Sequence, residues 1–129
     1  MNPLRSSCLL LAALAISVSP AWAGDNCKPD FKVVNQKVTS IKVTAVEYRL
    51  KGTSTWFSED VWNEVLTKNQ SHTWKTQSLS KADVGDHIDV RVSFQNDTGR
   101  GYGSTVASAP TVYSNVACDK NKVYTMTVK

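Results

Sequence analysis

"HIDVRVSF", residues 87–94, is the stretch on which the fold of this chain turns. Ile88, Val90, Val92 and Phe94 occupy alternate positions, with Asp89, Arg91 and Ser93 between them. A period of two places the apolar set on one face of a strand and the polar set on the other. One face then meets a core and the other meets water, the pattern of an antiparallel sheet.

The same reading extends in both directions. "SIKVTAVEYRL" (40–50) begins with Ile41, Val43 and Ala45 on one parity and continues with Val46, Tyr48 and Leu50 on the other. A strand cannot change parity without an extra residue, so a β-bulge near Ala45, or a bend from one sheet to the next, is predicted. "FKVVNQKV" (31–38) is rich in strand formers, and "SHTWKTQSL" (71–79) reads as a strand with His72 and Trp74 on one face. "TVASAPTVYS" (105–114) is weaker and is broken by Pro110, as an edge strand would be. "KVYTMTVK" (122–129) closes the chain with Tyr124, Met126 and Val128 on a common face.

Polar turns separate these runs, at 51–55, 67–71, 80–86 and 95–104. In the last of them "GRGYG" (99–103) reads as a hairpin tip whose glycines supply positive φ. The pattern predicts an all-β chain: a single antiparallel β-sandwich of about seven strands, immunoglobulin-like or a related Greek key, with a small barrel as the alternative.

The first residues read as a targeting segment. Arg5 precedes an apolar run from Cys8 to Val18, then Pro20 and the small-x-small sequence Ala21-Trp22-Ala23. This is a signal peptide over residues 1–23, with cleavage after Ala23 and a secreted domain over 24–129. The apolar run is shorter than the roughly 20 residues a spanning helix needs. Localisation is expected to be secreted or periplasmic, with no membrane span.

The whole chain carries a formal charge of +4, and the leader holds Arg5 and no acid, so the mature domain carries +3. Its lysines and arginines are scattered rather than clustered, which argues against nucleic acid as a partner. Cys27 and Cys118 remain after cleavage, and an even pair in an exported chain reads as a disulfide. A loop of this length would constrain the unfolded chain by about 4 to 5 kcal/mol.

Chemistry is thinly represented. The only histidines are His72 and His87, and no serine sits in a G-x-S-x-G elbow. "DVGDHID" (83–89) lacks the alternate acids and terminal Glu of a calcium loop, and "GRGYG" lacks the Lys-Ser/Thr that completes a phosphate loop. Asn69 and Asn96 open glycosylation-type tripeptides. No cofactor, metal site or catalytic residue is expected, and the chain is expected to be a monomer.

The most unusual composition lies in "STWFSEDVWNEV" (54–65), which gathers Trp56, Phe57 and Trp62 around Glu59, Asp60 and Glu64. As a helix, a short turn near 58–66 would start at Ser58 as N-cap, with Glu59 and Asp60 in its first turn. As a strand, Trp56 and Phe57 would face opposite ways. In either form at least one aromatic is hard to bury, and a partly exposed aromatic is a common means of gripping a sugar or a protein.

Trp56, Phe57 and Trp62, together with Arg100 and Tyr102 of the glycine-rich loop, are therefore the candidate binding residues. The expected function is a small exported, non-enzymatic binding or surface-associated protein acting on an unknown protein or saccharide ligand. An inhibitor or immunity-type protein that blocks an enzyme or toxin is the alternative. A small hydrolase using Glu59, Asp60 or Glu64 ranks third.

Overall fold

The computed structural model describes residues 24–107 and 113–129. The expected leader over 1–23 and the expected strand break at Pro110 lie outside the described residues. Ten strands follow in order: β1 (Asn26–Cys27), β2 (Asp30–Asn35), β3 (Ile41–Leu50), β4 (Phe57–Leu66), β5 (Ser71–Trp74), β6 (Leu79–Asp83), β7 (His87–Asp97), β8 (Tyr102–Ala107), β9 (Tyr113–Ala117) and β10 (Val123–Val128). Among the described residues there is no helix, so the helical alternative near 58–66 is replaced by a strand.

The strands fall into seven lines. β1 and β2 run antiparallel to β6 and β5, with Cys27 opposite Leu79 and Phe31 opposite Trp74. Lys28-Pro29 interrupts one line and residues 75–78 the other. The gap is bridged by the Gln77 N–H on the Pro29 carbonyl (2.9 Å) and the Thr76 N–H on Asp30 Oδ1 (2.7 Å). β8 and β9 share the side of β7 that faces away from β3. One sheet is thus β4-β3-β7 with β8 and β9 along its far edge; the second layer is the three-stranded sheet β10-β2-β5, continued past the gap by the two-stranded sheet β1-β6.

The two sheets close over one core. Phe31, Val33, Trp74, Tyr124, Met126 and Val128 of one layer meet Ile41, Val43, Val46, Tyr48, Val61 and the even positions of β7 from the other. This is the sandwich expected from alternation. It departs from a wholly antiparallel one at a single place: β10 runs parallel to β2, with Tyr124 beside Phe31. Parallel neighbours are joined only through distant chain, so no turn signal announces them.

The polar face of β7 is drier than its alternation suggests, because Asp89 and Ser93 are both buried. β7 is an interior strand, with β3 along one edge and β8 and β9 along the other. Each buried group is matched by a partner. Asp89 accepts from Arg49 Nε (2.8 Å) and from the Asn115 N–H (2.9 Å), and Ser93 Oγ donates to Glu47 (2.9 Å). Buried polar groups persist when they are bonded in this way.

Two features lock the ends of the sandwich. At one end the fully buried Asn35 donates from Nδ2 to the carbonyls of Thr39 and Leu66, both at 2.9 Å, and accepts the Lys37 N–H on Oδ1. It ties the β2–β3 turn to the end of β4. At the other end Cys27 and Cys118 are bonded across a separation of 91 residues, with both cysteines buried. The bridge joins the start of the first sheet line to the approach of β10.

Replacing both cysteines by serine should lower the stability by about 4 kcal/mol, since the constraint on the unfolded chain is lost. Urea unfolding of the double variant against the oxidised protein measures this as a lower midpoint.

Candidate functional site

The site grows from a mismatch in strand length. Between the pairs Val43–Phe94 and Ala45–Ser93, β7 has no intervening residue and β3 has one, Thr44. Between Val43–Glu64 and Ala45–Asp60, β3 again has Thr44 alone while β4 has Val61, Trp62 and Asn63. The inserted length therefore rises from β7 through β3 to β4. The bulge at Thr44 is the one that the parity change in residues 40–50 predicts. Val43 and Val46 are both fully buried, with Thr44 and Ala45 half-buried between them.

β4 accommodates its surplus by leaving extended geometry. Trp62 has φ of 59° and Asn63 φ of 52°, consecutive residues in the left-handed region. Asparagine tolerates that region, but a tryptophan there is uncommon and costs free energy. Asp60 steadies the kink by accepting the Trp62 N–H on Oδ1 at 2.9 Å. The kink keeps Val61 and Leu66 in the core and turns the Trp62 indole into water, where it is 83% exposed. The acid that favours a helix start in the sequence here caps a bulge.

The other aromatics are occupied. Trp56 stacks on two guanidinium groups, with Arg91 Cζ 4.0 Å and Arg49 Cζ 4.6 Å from its ring centroid. Those arginines are themselves paired, Arg91 with Glu47 and Arg49 with Asp89, and Ser58 Oγ reaches Glu47 at 3.3 Å. The result is a neutral polar network capped by an indole. Phe57 packs against the core beside Tyr48, with ring centroids 5.5 Å apart. Tyr102 is half-buried under Lys42, whose Nζ is 4.4 Å from its centroid.

Arg100 stands exposed on the β7–β8 hairpin tip. There the Thr98 N–H bonds the Gly101 carbonyl (2.8 Å), and Gly99 and Gly101 have φ of 79° and 119°. That is the tip predicted from the glycines. Of the five candidate residues, then, Trp56, Phe57 and Tyr102 are engaged within the fold, Arg100 is apart on the tip, and Trp62 alone presents its ring. Arg49 and Lys42, which hold Trp56 and Tyr102, are about 20 Å apart along β3. The aromatics do not form one platform.

The acids around Trp62 differ among themselves. Asp60 faces solvent. Glu64 approaches His72 Nδ1 at 3.6 Å, and the His72 ring lies 4.7 Å from that of Trp74. Glu59 pairs with Val46, an inward position, so its carboxyl lies at the rim of the core, and burial raises its pKa above the usual carboxylate value. Burial likewise raises the Tyr48 pKa, against hydrogen bonds from the Lys81 N–H and Ser80 and with the Glu59 charge adding to the rise.

The remaining sequence candidates have structural partners. His87 Nδ1 meets Asn115 Oδ1 at 2.9 Å, and Asp86 Oδ2 accepts the Asp83 N–H at 2.9 Å. Among the described residues no three His, Cys, Asp or Glu side chains converge as a metal site. Of the two glycosylation-type asparagines, Asn69 is exposed in a turn, whereas Asn96 lies half-buried in β7 with its Oδ1 shielded.

One feature has no sequence signal. A polar cleft of about 440 Å³ opens beside the disulfide, lined by Gly24, Asp25, Asn26, Lys28, Ser78 and Lys120. It exists because the β1–β6 pairing and the disulfide bring three distant segments together. Compared with known proteins, the chain matches no family model, no curated protein and no solved structure.

Trp56→Ala should cost about 1 to 2 kcal/mol, the value of two lost cation–π contacts. Trp62→Ala should leave the unfolding midpoint unchanged or slightly raised. For Glu59, a pKa raised on folding means that the folded protein holds the proton more tightly. Its contribution to stability is full below the unfolded carboxylate pKa and is lost as pH rises through the folded value. Glu59→Gln should therefore be more stable than the parent at neutral pH, and thermal melts should show the gap closing as pH falls below the carboxylate range.

Proposed function

We propose that this chain is a small exported, non-enzymatic binding protein whose contact surface is the β4 edge centred on Trp62. The observation that carries the reading is the Trp62 indole, 83% exposed on backbone held at φ 59°. An exposed tryptophan on strained backbone stabilises nothing in the isolated fold, and such strain clusters at functional positions. Tryptophan is also, with tyrosine and arginine, enriched among residues that dominate binding energy. Trp56 stays within the reading as the residue that stiffens the sheet behind this edge.

Export rests on two supports. The leader-like residues precede the domain, and the Cys27–Cys118 disulfide is consistent with an oxidising extracellular or periplasmic compartment. The blocking-protein alternative draws on a different observation, the exposed Arg100 on a hairpin tip fixed by Thr98 and Gly101.

The two readings part in one experiment. The oxidised 24–129 domain is tested against a panel of insoluble polysaccharides and against the periplasmic and extracellular fractions of the producing cells. Trp62→Ala should weaken capture of the bound species by about thirtyfold or more in Kd, the loss expected of a dominant contact residue, with an unchanged melting temperature. Arg100→Ala should leave it intact. Loss of binding with Arg100→Ala and not with Trp62→Ala would replace the proposal by the blocking reading.

A further inference from the structure

β4 is an edge strand. It pairs with β3 on one side, and among the described residues no strand pairs with its other side. Over Phe57–Val61, before the kink, it offers about 17 Å of extended main chain whose outward N–H and C=O groups await a partner. From Phe57 to Leu66 the strand carries Glu59, Asp60 and Glu64 and no Lys, Arg or His, in a chain whose formal charge is +4.

The charges at the centre of this sheet are paired. Arg49 meets Asp89, and Arg91 meets Glu47. Glu64 lies 3.6 Å from His72 Nδ1, a contact of opposite charges only when the imidazole is protonated. Asp60 uses Oδ1 on the Trp62 N–H, and Glu59 has no ion-pair partner among the described residues. The edge therefore presents two carboxylates without cations beside one free indole.

We infer that the free edge of β4 over Phe57–Val61 accepts an extended basic segment of a partner polypeptide by strand addition, with Trp62 covering one end of the added strand. This rests on the binding-surface reading above and names its partner. Main-chain pairing gives such an interaction its affinity, and side chains flanking the edge give it selectivity. Lys or Arg on alternate positions of the incoming strand would lie opposite Asp60 on the outer face, or Glu59 at the core rim, and Trp62 offers its ring to a cation or an aliphatic stem.

The same acids dispose of the competing occupant. Two copies of β4 placed edge to edge set carboxylate against carboxylate, so the edge repels its own kind. Edge protection alone accounts for an inward acid and a bulge. It does not account for an indole in water, since a lysine protects an edge without exposing apolar surface.

The test uses the oxidised 24–129 domain, isotope-labelled, with two synthetic pentapeptides that alternate charged residues with Val and Thr, one with Lys and one with Glu. At low ionic strength the lysine peptide should shift the β4 amides that point away from β3 and the Trp62 indole Nε1–H, and added salt should reverse the shifts. The glutamate peptide should shift neither. Glu59→Gln/Asp60→Asn, which keeps an acceptor for the Trp62 N–H, should abolish the response with the fold intact.

Equal responses to both peptides, shifts confined to other strands, or no response to either overturn the inference. If the peptides are silent while a soluble oligosaccharide panel moves the Trp62 indole, the binding surface stands and only its polypeptide partner falls. If nothing moves the indole, both fall.

Discussion

The constraint on which this structure depends is the growth of inserted length from the centre of one sheet to its edge. β7 runs through without interruption at Ser93–Phe94, β3 carries Thr44 as an extra residue, and β4 carries three residues opposite Thr44. A bulge adds twist and bends its strand, and stacked bulges bend the sheet more sharply toward the edge. The bend lets β4 bring both Val61 and Leu66 to the core, although five positions separate them and simple alternation would place them on opposite faces. The cost is local. The Thr44 hydroxyl is buried without a hydrogen-bond partner, and Trp62 and Asn63 sit in left-handed backbone.

The outer face of the same sheet shows how a polar surface becomes dry without becoming apolar. Glu47, Arg49, Asp89, Arg91 and Ser93 all lie where alternation puts them, away from the core. They satisfy one another, and Trp56 then covers the two guanidinium groups. Exposed ion pairs contribute little. These pairs are partly buried and joined in a network, so removing one member would strand its partner, which is the costly outcome. The network therefore fixes the register of β3 against β7, and that register sets where the bulges fall.

How far the sequence foretold this follows from the range of each interaction. Alternation in β7, the parity change near Ala45, the positive φ of Gly99 and Gly101 and the cysteine pair are set by nearest neighbours or by simple counting, and each was legible. β4 was ambiguous because Ser58, Glu59 and Asp60 obey local rules for a helix start, while the decision belonged to pairing with the β3 edge along the whole strand, which the local pattern of 58–66 does not contain. The parallel β2–β10 pair, the polar cleft and the arginines over Trp56 depend on register between distant segments. Among the aromatics the sequence could show that one would remain in water. Only the two-residue surplus on β4 decided that it would be Trp62.

The acids near Trp62 can be ordered by what each does to the fold. Asp60 lowers the cost of the kink by accepting the Trp62 N–H, so it is structural and charged at once. Glu64 leans on His72 across to β5. Glu59 has neither use: it lies at the core rim, its charged form is disfavoured by burial, and a neutral side chain would serve the fold better. A strained tryptophan and a disfavoured glutamate on adjacent stretches of one edge strand are two departures from the stable choice, in a protein whose other buried polar groups are largely matched. Native chains concentrate such departures where function acts. Coincidence of the two on the most acidic of the described strands, in a basic chain, is the physical reason for proposing recognition there rather than in the polar cleft or on the hairpin tip.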